Sequence, residues 1–395
     1  MKRLKITLTA KSPVAIGEWM TSRSNVRESL SYIPGGVLRG ALAQAVLELL
    51  GKHNTSKRRL SDANAELQQA FECAFGKDGA RFSFLMPFGE DWIPAPATAL
   101  FNKQNDQYLY DTLFALIRGA PYEMLCPETG ERLERGRGYL IRESGEWHKP
   151  KPLRKTTFVR VGLNRATEAA EEGVLYAIEA IEPPAEFTGY VDFPAGNCAQ
   201  AFQTILDALR WRDDKITLRI GSARSRGFGE VELKDEEAAL QARDYPLDEF
   251  KARADKPIFT LLARTPVIVY DLCGQPAPTL TPELLREYLP GLPESVQLLE
   301  PAARIERELV SGWSGAWGMP KPVQQAFAPG SLFTYTYAED EQEPLTQWLR
   351  HLEMHGIGER TAEGYGRFTV CSQYHLDRDI TQFVGGESHG EQPTQ

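Results

Sequence analysis

From Lys2 to Ala10 the apolar residues Leu4, Ile6, Leu8 and Ala10 alternate with polar ones, the period of a strand with one buried face. The strand runs into Lys11, Ser12, Pro13 and Val14. A shift of 253 positions brings the same wording back, with Ile6 falling on Phe259, Leu8 on Leu261, Ala10 on Ala263 and Pro13 on Pro266. A second phrase also occurs twice. Ile220 to Val231 carries Gly221, Gly227 and Gly229 with Phe228 between the last two, and 137 positions later Ile357 to Phe368 carries Gly358, Gly364 and Gly366 with Tyr365. Each half therefore opens on a strand ending in a basic, a hydroxyl, Pro and Val, and closes on a glycine-rich loop, which marks an internal duplication. Pro13 and Gly221 are 208 residues apart but Pro266 and Gly358 only 92, so about a hundred extra residues lie inside the first copy.

Between these markers, residues 41–50 combine good helix formers with apolar spacing and predict a helix, with Pro34, Gly35 and Gly36 as the turn at its N-terminus. A second amphipathic helix is expected over 61–75, a strand over 81–87, and an irregular insertion rich in Pro, Gly and aromatics over 88–150. Residues 172–178 and 187–193 read as paired strands and 198–211 as a helix leading to the first loop. The second half predicts a strand at 257–263, helices at 282–288 and 343–354, and strands at 332–337 and 366–372. The domain expectation is a first unit over 1–234 with an insertion at about 88–165, a linker over 235–254, a second unit over 255–375, and a fraying tail over 376–395.

At 395 residues, with 42% hydrophobic and 25% charged, the chain has the composition of two globular domains, and no apolar run reaches the roughly 18 residues of a membrane span. The strand-like N-terminus has no apolar signal core, so a cytoplasmic location is expected. Five separated cysteines without a Cys-x-x-Cys give neither a disulfide frame nor a complete zinc site, although Cys126 before Pro127 resembles half a zinc knuckle. A net charge of −9 confines any nucleic-acid contact to a local patch.

One stretch meets that condition. From Trp147 to Arg165 there are six basic residues, Lys149, Lys151, Arg154, Lys155, Arg160 and Arg165, and no acid. Residues 156–162 alternate like a strand, so these cations either project from a hairpin toward phosphates or form a solvated face. The glycine loops also allow two readings. Glycines at φ > 0 let several N–H groups converge on an anion, and they equally serve a tight turn. Between its outer glycines the first loop carries Arg224 and Arg226 without an acid, whereas the second carries Glu359, Arg360 and Glu363. The first is therefore expected to touch RNA, and the second to face the first domain or a neighbouring subunit. Gly312 to Gly318, with Trp313 and Trp317, is a further aromatic loop that packs or stacks a base.

Strand, Pro-Gly helix, strand, strand, helix, glycine-rich loop, strand is the βαββαβ order of a ferredoxin-like domain, and here it occurs twice. With Ile33 to Gly40, Val161 to Thr167, Glu171 to Tyr176 and both loops, the chain resembles the repeat-associated (RAMP) superfamily of CRISPR systems from Met1 to about Val370. It is most similar to the two-loop Csx-type RAMP subunit of type III-D effector complexes. The resemblance implies an α+β fold of two ferredoxin-like, RRM-related domains and a non-catalytic subunit that caps the 5′ tag of the CRISPR RNA. Its implied partners are that RNA, other RAMP subunits and the large subunit of the complex, with no membrane, cofactor or metal. The implied RNA-binding residues are Gly35, Gly36, Arg39, Lys155, Arg160, Asn164, Arg165, Gly221, Arg224, Arg226, Gly227, Phe228 and Gly229. A possible second loop site is Gly358, Arg360, Gly364, Tyr365 and Gly366. A free-standing RRM is disfavoured, because Arg226 to Leu233 imitates a middle-strand signature at the position of a final strand.

The same superfamily contains RNA-processing endoribonucleases and backbone subunits that cut target RNA, so histidines and loop aspartates are candidate catalysts. His351 and His355 stand one helical turn apart without a third partner and are expected on the helix surface. His53 and His148 lie in polar segments, and His375 and His389 at or within the tail. Asp106 and Asp111 fall in the insertion and are expected to be ordinary surface carboxylates.

Overall fold

Leu4, Ile6 and Leu8 turn one face of the first strand, Lys2–Ala10, into the centre of a five-stranded antiparallel sheet. From edge to edge the strands are Ile216–Arg219, Glu230–Ala238, Lys2–Ala10, Glu186–Phe193 and Arg81–Phe82. Helices Gly35–Leu49, Ala65–Phe75 and Gly196–Leu209 add Leu42, Val46, Phe202 and Ile205 to the core beneath it. The second half repeats this plan in four strands, ordered Gln297–Leu298, Leu332–Thr336, Ile258–Ala263 and Phe368–Val370, all antiparallel. Helices Pro282–Tyr288 and Gln342–His355 accompany it, the latter burying Leu345, Trp348, Leu349 and Leu352 at helical spacing. The computed structural model, a mixed α+β fold, describes residues 2–17, 26–51, 65–103, 109–163, 170–194, 196–210, 214–239, 243–315 and 317–383. Among the described residues no helix is long and apolar enough to cross a membrane.

Five expectations are corrected. Residues 88–150 are not irregular. They form two three-stranded sheets and the helix Leu113–Arg118, and Ile93, Phe101, Phe114 and Trp147 join the core of the second half. The segment read as a linker begins inside strand Glu230–Ala238 and ends as helix Leu247–Ala254, which buries Leu247, Phe250 and Ala254. Residues 172–178 do not pair with 187–193. Strand Ala170–Ile181 pairs with Lys155–Leu163 in a long antiparallel ribbon, leaving Glu186–Phe193 to the central sheet. The chain does not fray at 376, and residues 384–395 of the expected tail lie outside the described residues. Helix Gln373–Asp377 and the turn Ile380–Gln382 bury His375, Leu376, Asp379 and Ile380. Finally, the first helix starts at Gly35 rather than 41, so Gly35 and Gly36 belong to its first turn.

The halves meet through buried charge. Asp192 of the first half accepts from Arg3 at 2.6 Å and lies 3.5 Å from Arg367 of the second. Arg81 donates to Nδ1 of His355 at 2.8 Å and to its carbonyl at 3.1 Å. His355 thus sits at the junction and not on an open helix face. Burial first, and then the neighbouring Arg81, His351 and Arg367, push its pKa down to about 4.

Candidate nucleic-acid interface

The two glycine loops are the same object atom by atom. In each, the last glycine donates its N–H to the proline of the strand-end motif, Gly229 to Pro13 at 2.8 Å and Gly366 to Pro266 at 2.9 Å. In each, the residue after the first glycine donates to a carbonyl two residues beyond that proline, Ser222 to Ala15 and Glu359 to Ile268, both at 2.8 Å. Ala223 and Arg360 take matching left-handed conformations at φ 57° and 60°. The outer glycines are required by contact as well as φ. A β-carbon on Gly221 would lie 2.3 Å from the Ala15 carbonyl oxygen and one on Gly358 2.2 Å from that of Ile268.

What each loop faces is different. Gly364 packs on the first half, where a β-carbon would lie 2.6 Å from the Phe82 carbonyl oxygen, and Tyr365 sets its ring edge-on to Phe84 at 5.2 Å. Glu363 reaches the first turn of the Gly35–Leu49 helix. Its carbonyl and carboxylate approach Gly35 and Gly36 so closely that β-carbons there would lie 2.6 and 2.5 Å away. Arg360 and Lys321 pair with that carboxylate, and together they hold it ionised, below the usual carboxylate range despite its burial. The anion at this helix N-terminus is therefore supplied by the protein itself. Gly35 and Gly36 are closed to a phosphate, and Arg39 turns away to the Phe75 carbonyl and ring. These three site expectations are corrected. The second loop, as expected from its charges, faces the first half of the chain.

At the first loop the corresponding space is open, with nothing near the position of a β-carbon on Gly227. Beside it stands the ribbon of Lys155–Leu163 and Ala170–Ile181, with Val26–Arg27 added in parallel along Ala177–Ile178. Loop and ribbon enclose a groove of about 400 Å³ lined by Arg27, Tyr176, Ile178, Ser222, Ser225 and Arg226. Arg226 donates to the Tyr176 hydroxyl and Arg224 to Gln44, both uncharged partners. Among the described residues no carboxylate pairs with Arg27, Arg160, Arg224 or Arg226. The groove thus offers permanent positive charge, hydroxyl donors and one aromatic ring, a donor set suited to phosphates and an unpaired base.

Other expected site residues fall elsewhere. Lys155 is held by Glu179 at 2.8 Å, and that carboxylate also accepts from the Ser29 N–H. Its charge is neutralised by Glu179, which lines a pocket adjoining the groove. Phe228 is 4% exposed and meets Phe158 edge-on at 4.9 Å, so it packs the loop onto the ribbon rather than stacking a base. Arg160 is exposed, while Asn164 and Arg165 lie outside the described residues. Sequence reasoning missed Arg27, Ser222 and Tyr176. Arg27 sits in a Ser- and Arg-containing segment without periodicity, and only the parallel pairing brings it to the groove.

Asp111 is fully buried, not a surface carboxylate, accepting from the Thr98 hydroxyl at 2.7 Å and the Leu113 N–H at 2.9 Å with His375 3.1 Å away. Asp106 and His53 lie outside the described residues, as does His389. Cys126 is buried against Tyr110 and Glu128, and among the described residues no group of three or more His, Cys, Asp or Glu is placed to hold a metal.

Residues 7–232, more than half of the chain, match the RAMP superfamily, and residues 133–372 match the family described as CRISPR-associated protein (Cas_Cmr3). No curated protein sequence matches the chain. Among solved structures it is similar to a chain of the Type III-B Cmr-beta complex bound to cognate target RNA and AMPPnP, at 12% identity over 84% of this chain and 86% of that one, TM-score 0.43. It is also similar to a chain of a Type IV-B CRISPR complex at 12% identity, covering 61% and 93%, TM-score 0.30. A third likeness is to a CRISPR-associated Cas6 at 9% identity, covering 93% and 98%, TM-score 0.32. Structural likenesses of this size add nothing to the family matches, which rest on sequence. On those matches the chain belongs to the RAMP superfamily and, within it, to the CRISPR-associated Cas_Cmr3 family.

Proposed function

We propose that the chain is a non-catalytic subunit of a type III CRISPR effector complex, built of two ferredoxin-like, RRM-related units, that holds CRISPR RNA in the groove of the first glycine loop. The pairing of the final strand with the first strand in both sheets, Glu230–Ala238 with Lys2–Ala10 and Phe368–Val370 with Ile258–Ala263, supports the architectural part. The observation that carries the RNA part is the asymmetry of the loops. Two loops of one backbone geometry differ in that the second is filled by Glu363 and the first half, while the first stays open beside unpaired arginines. An acidic chain that lines this groove with Arg27 and Arg226, neither paired with a carboxylate among the described residues, concentrates positive potential there. The 5′ tag of the CRISPR RNA is the segment assigned to this groove, in a complex of other RAMP subunits and a large subunit within the cytoplasm. The two-loop Csx-type subunit of type III-D complexes remains the finer identity carried by the duplicated loops.

The decisive experiment is to co-express the chain with its genomic neighbours, extract the bound nucleic acid and sequence it. Repeat-derived 5′ tags are expected. Random host RNA, or none, would remove the proposal. A processing-nuclease reading has one observation in its favour, the contact of His351 and His355 with ring centroids 4.3 Å apart beside Arg81. Against it, His355 accepts from Arg81, and its low pKa makes it a weak general base at neutral pH. Cleavage of repeat RNA that vanishes in His351→Ala would overturn the non-catalytic assignment.

A further inference from the structure

Residues 307–327 of the second half form a long two-stranded ribbon, pairing Arg307–Val310 with Gln324–Phe327 and then Trp313–Ser314 with Met319–Pro320. Its distal part carries several exposed apolar side chains. Leu309 is 58% exposed, Trp313 64%, Trp317 72% and Met319 51%. Scattered exposed apolar residues are ordinary, but two tryptophans and a methionine at one hairpin tip form a patch of the kind that marks an interaction site.

The chemistry of the patch selects its occupant. Between Leu309 and Val323 the only charged residue is Lys321, and its ammonium is engaged by Glu363. No free cation remains there for a phosphate backbone, in contrast to the arginines of the first-loop groove. Pro320 and Pro322 remove two N–H donors from one strand, so the ribbon is a poor template for strand addition, and its side chains are what it presents. The ribbon is also held in place before binding. Arg360 donates to the Ser311 carbonyl at 3.0 Å while Lys321 pairs with Glu363, which fastens the stem to the second glycine loop and through it to the first half. A fixed, uncharged, aromatic tip loses little side-chain freedom on docking.

We infer that the tip of this ribbon, Trp313, Trp317 and Met319, docks into an apolar, uncharged face of a neighbouring protein subunit of the same assembly. The inference rests on the effector-subunit reading above but not on where the RNA binds. It is tested with the full chain carrying photoreactive p-benzoylphenylalanine in place of Trp317, co-expressed with its genomic neighbours and irradiated after purification of the complex. A crosslink to a different protein subunit is expected. Crosslinks to RNA, or to a second copy of this chain, or to nothing, would each overturn the proposal.

The double variant Trp313→Ser, Trp317→Ser should be retained in the complex about tenfold less well or worse, since paired tryptophan anchors dominate small interfaces. The isolated variant should bind RNA as the unaltered chain does. Undiminished retention would also overturn the docking role. If the unaltered chain co-purifies with no neighbour, both the assembly reading and this inference fail. If it assembles without RNA in its groove, only the RNA assignment fails.

Discussion

The carboxylate of Glu363, near the end of the chain, lies against Gly36, near its beginning, so closely that a β-carbon on Gly36 would sit 2.5 Å from Oε2. Gly35 is tighter still, with the Phe82 carbonyl oxygen 2.2 Å and the Glu363 carbonyl oxygen 2.6 Å from the same point. Both neighbours of Gly35 are backbone and cannot swing aside. Gly35→Ala should therefore destabilise the protein by about 1–3 kcal/mol or more. Gly40→Ala, on an exposed turn of the same helix with nothing nearby, should stabilise by about 0.5–1 kcal/mol. Chemical denaturation of the two variants checks the contrast, and equal effects would show that the loop does not press on the helix.

In RNA binding, Arg160→Ala, Arg224→Ala and Arg226→Ala should each weaken affinity and lower the slope of log K against log salt by about one unit or slightly less. Lys155→Ala should lower stability through loss of the Glu179 pair and leave the slope unchanged. Titrations of a tag-containing RNA at several salt concentrations distinguish these. A slope change for Lys155→Ala equal to that of Arg226→Ala would return Lys155 to the RNA surface.

The second loop should behave oppositely to the first. Arg360→Ala removes donors to Ser311 and Glu363, in the joint between ribbon, loop and first half. It should lower the melting temperature while RNA affinity stays close to that of the unaltered chain. A loss of RNA affinity as large as that of Arg224→Ala with Arg226→Ala would mean that the loops share a task.

His355 gives a pH signature. Its folded pKa, about 4, lies below the ordinary 6.5, so below pH 6.5 the unfolded chain takes up a proton that the folded one resists. Stability should be full above about pH 6.5 and decline as pH falls toward 4. Glutamine can still accept from Arg81 and does not titrate, so His355→Gln should flatten this part of the melting-temperature profile. Parallel profiles for both proteins would exclude His355 as the titrating group.

Asp111→Ala should act on folding rather than on cleavage. It leaves the Thr98 hydroxyl and the Leu113 N–H without their buried acceptor and should cost about 1–3 kcal/mol. A stable variant with altered target-RNA cleavage would revive the backbone-subunit reading.

The duplication was readable because two constraints act locally. Alternation in Lys2–Ala10 follows from a half-buried strand, and the glycines follow from carbonyls within 3 Å of a would-be β-carbon, or at Gly227 from positive φ alone. The charge difference between the loops was legible too, since Arg224 and Arg226 have no acid within the turn and Glu363 has Arg360 three residues before it. What stayed hidden depended on partners distant in sequence. Phe158, which covers Phe228, and Glu179, which pairs with Lys155 across the ribbon, are both remote in sequence, and the carboxylate against Gly36 belongs to Glu363, more than 300 residues away. The insertion looked irregular because its short strands bury both faces against the second half and so lack alternation.

Gly227 and Gly364 descend from one position of the repeat yet answer to different demands. At Gly227 only the left-handed backbone, φ 84°, must be kept, a conformation that asparagine also adopts. At Gly364, with φ 91°, the space itself is taken by the Phe82 carbonyl and Phe84, so no side chain fits. Drift is therefore permitted in one copy and forbidden in the other. A chimera carrying two first halves or two second halves would leave one loop with no surface to close on, so the once-equivalent modules can no longer trade places.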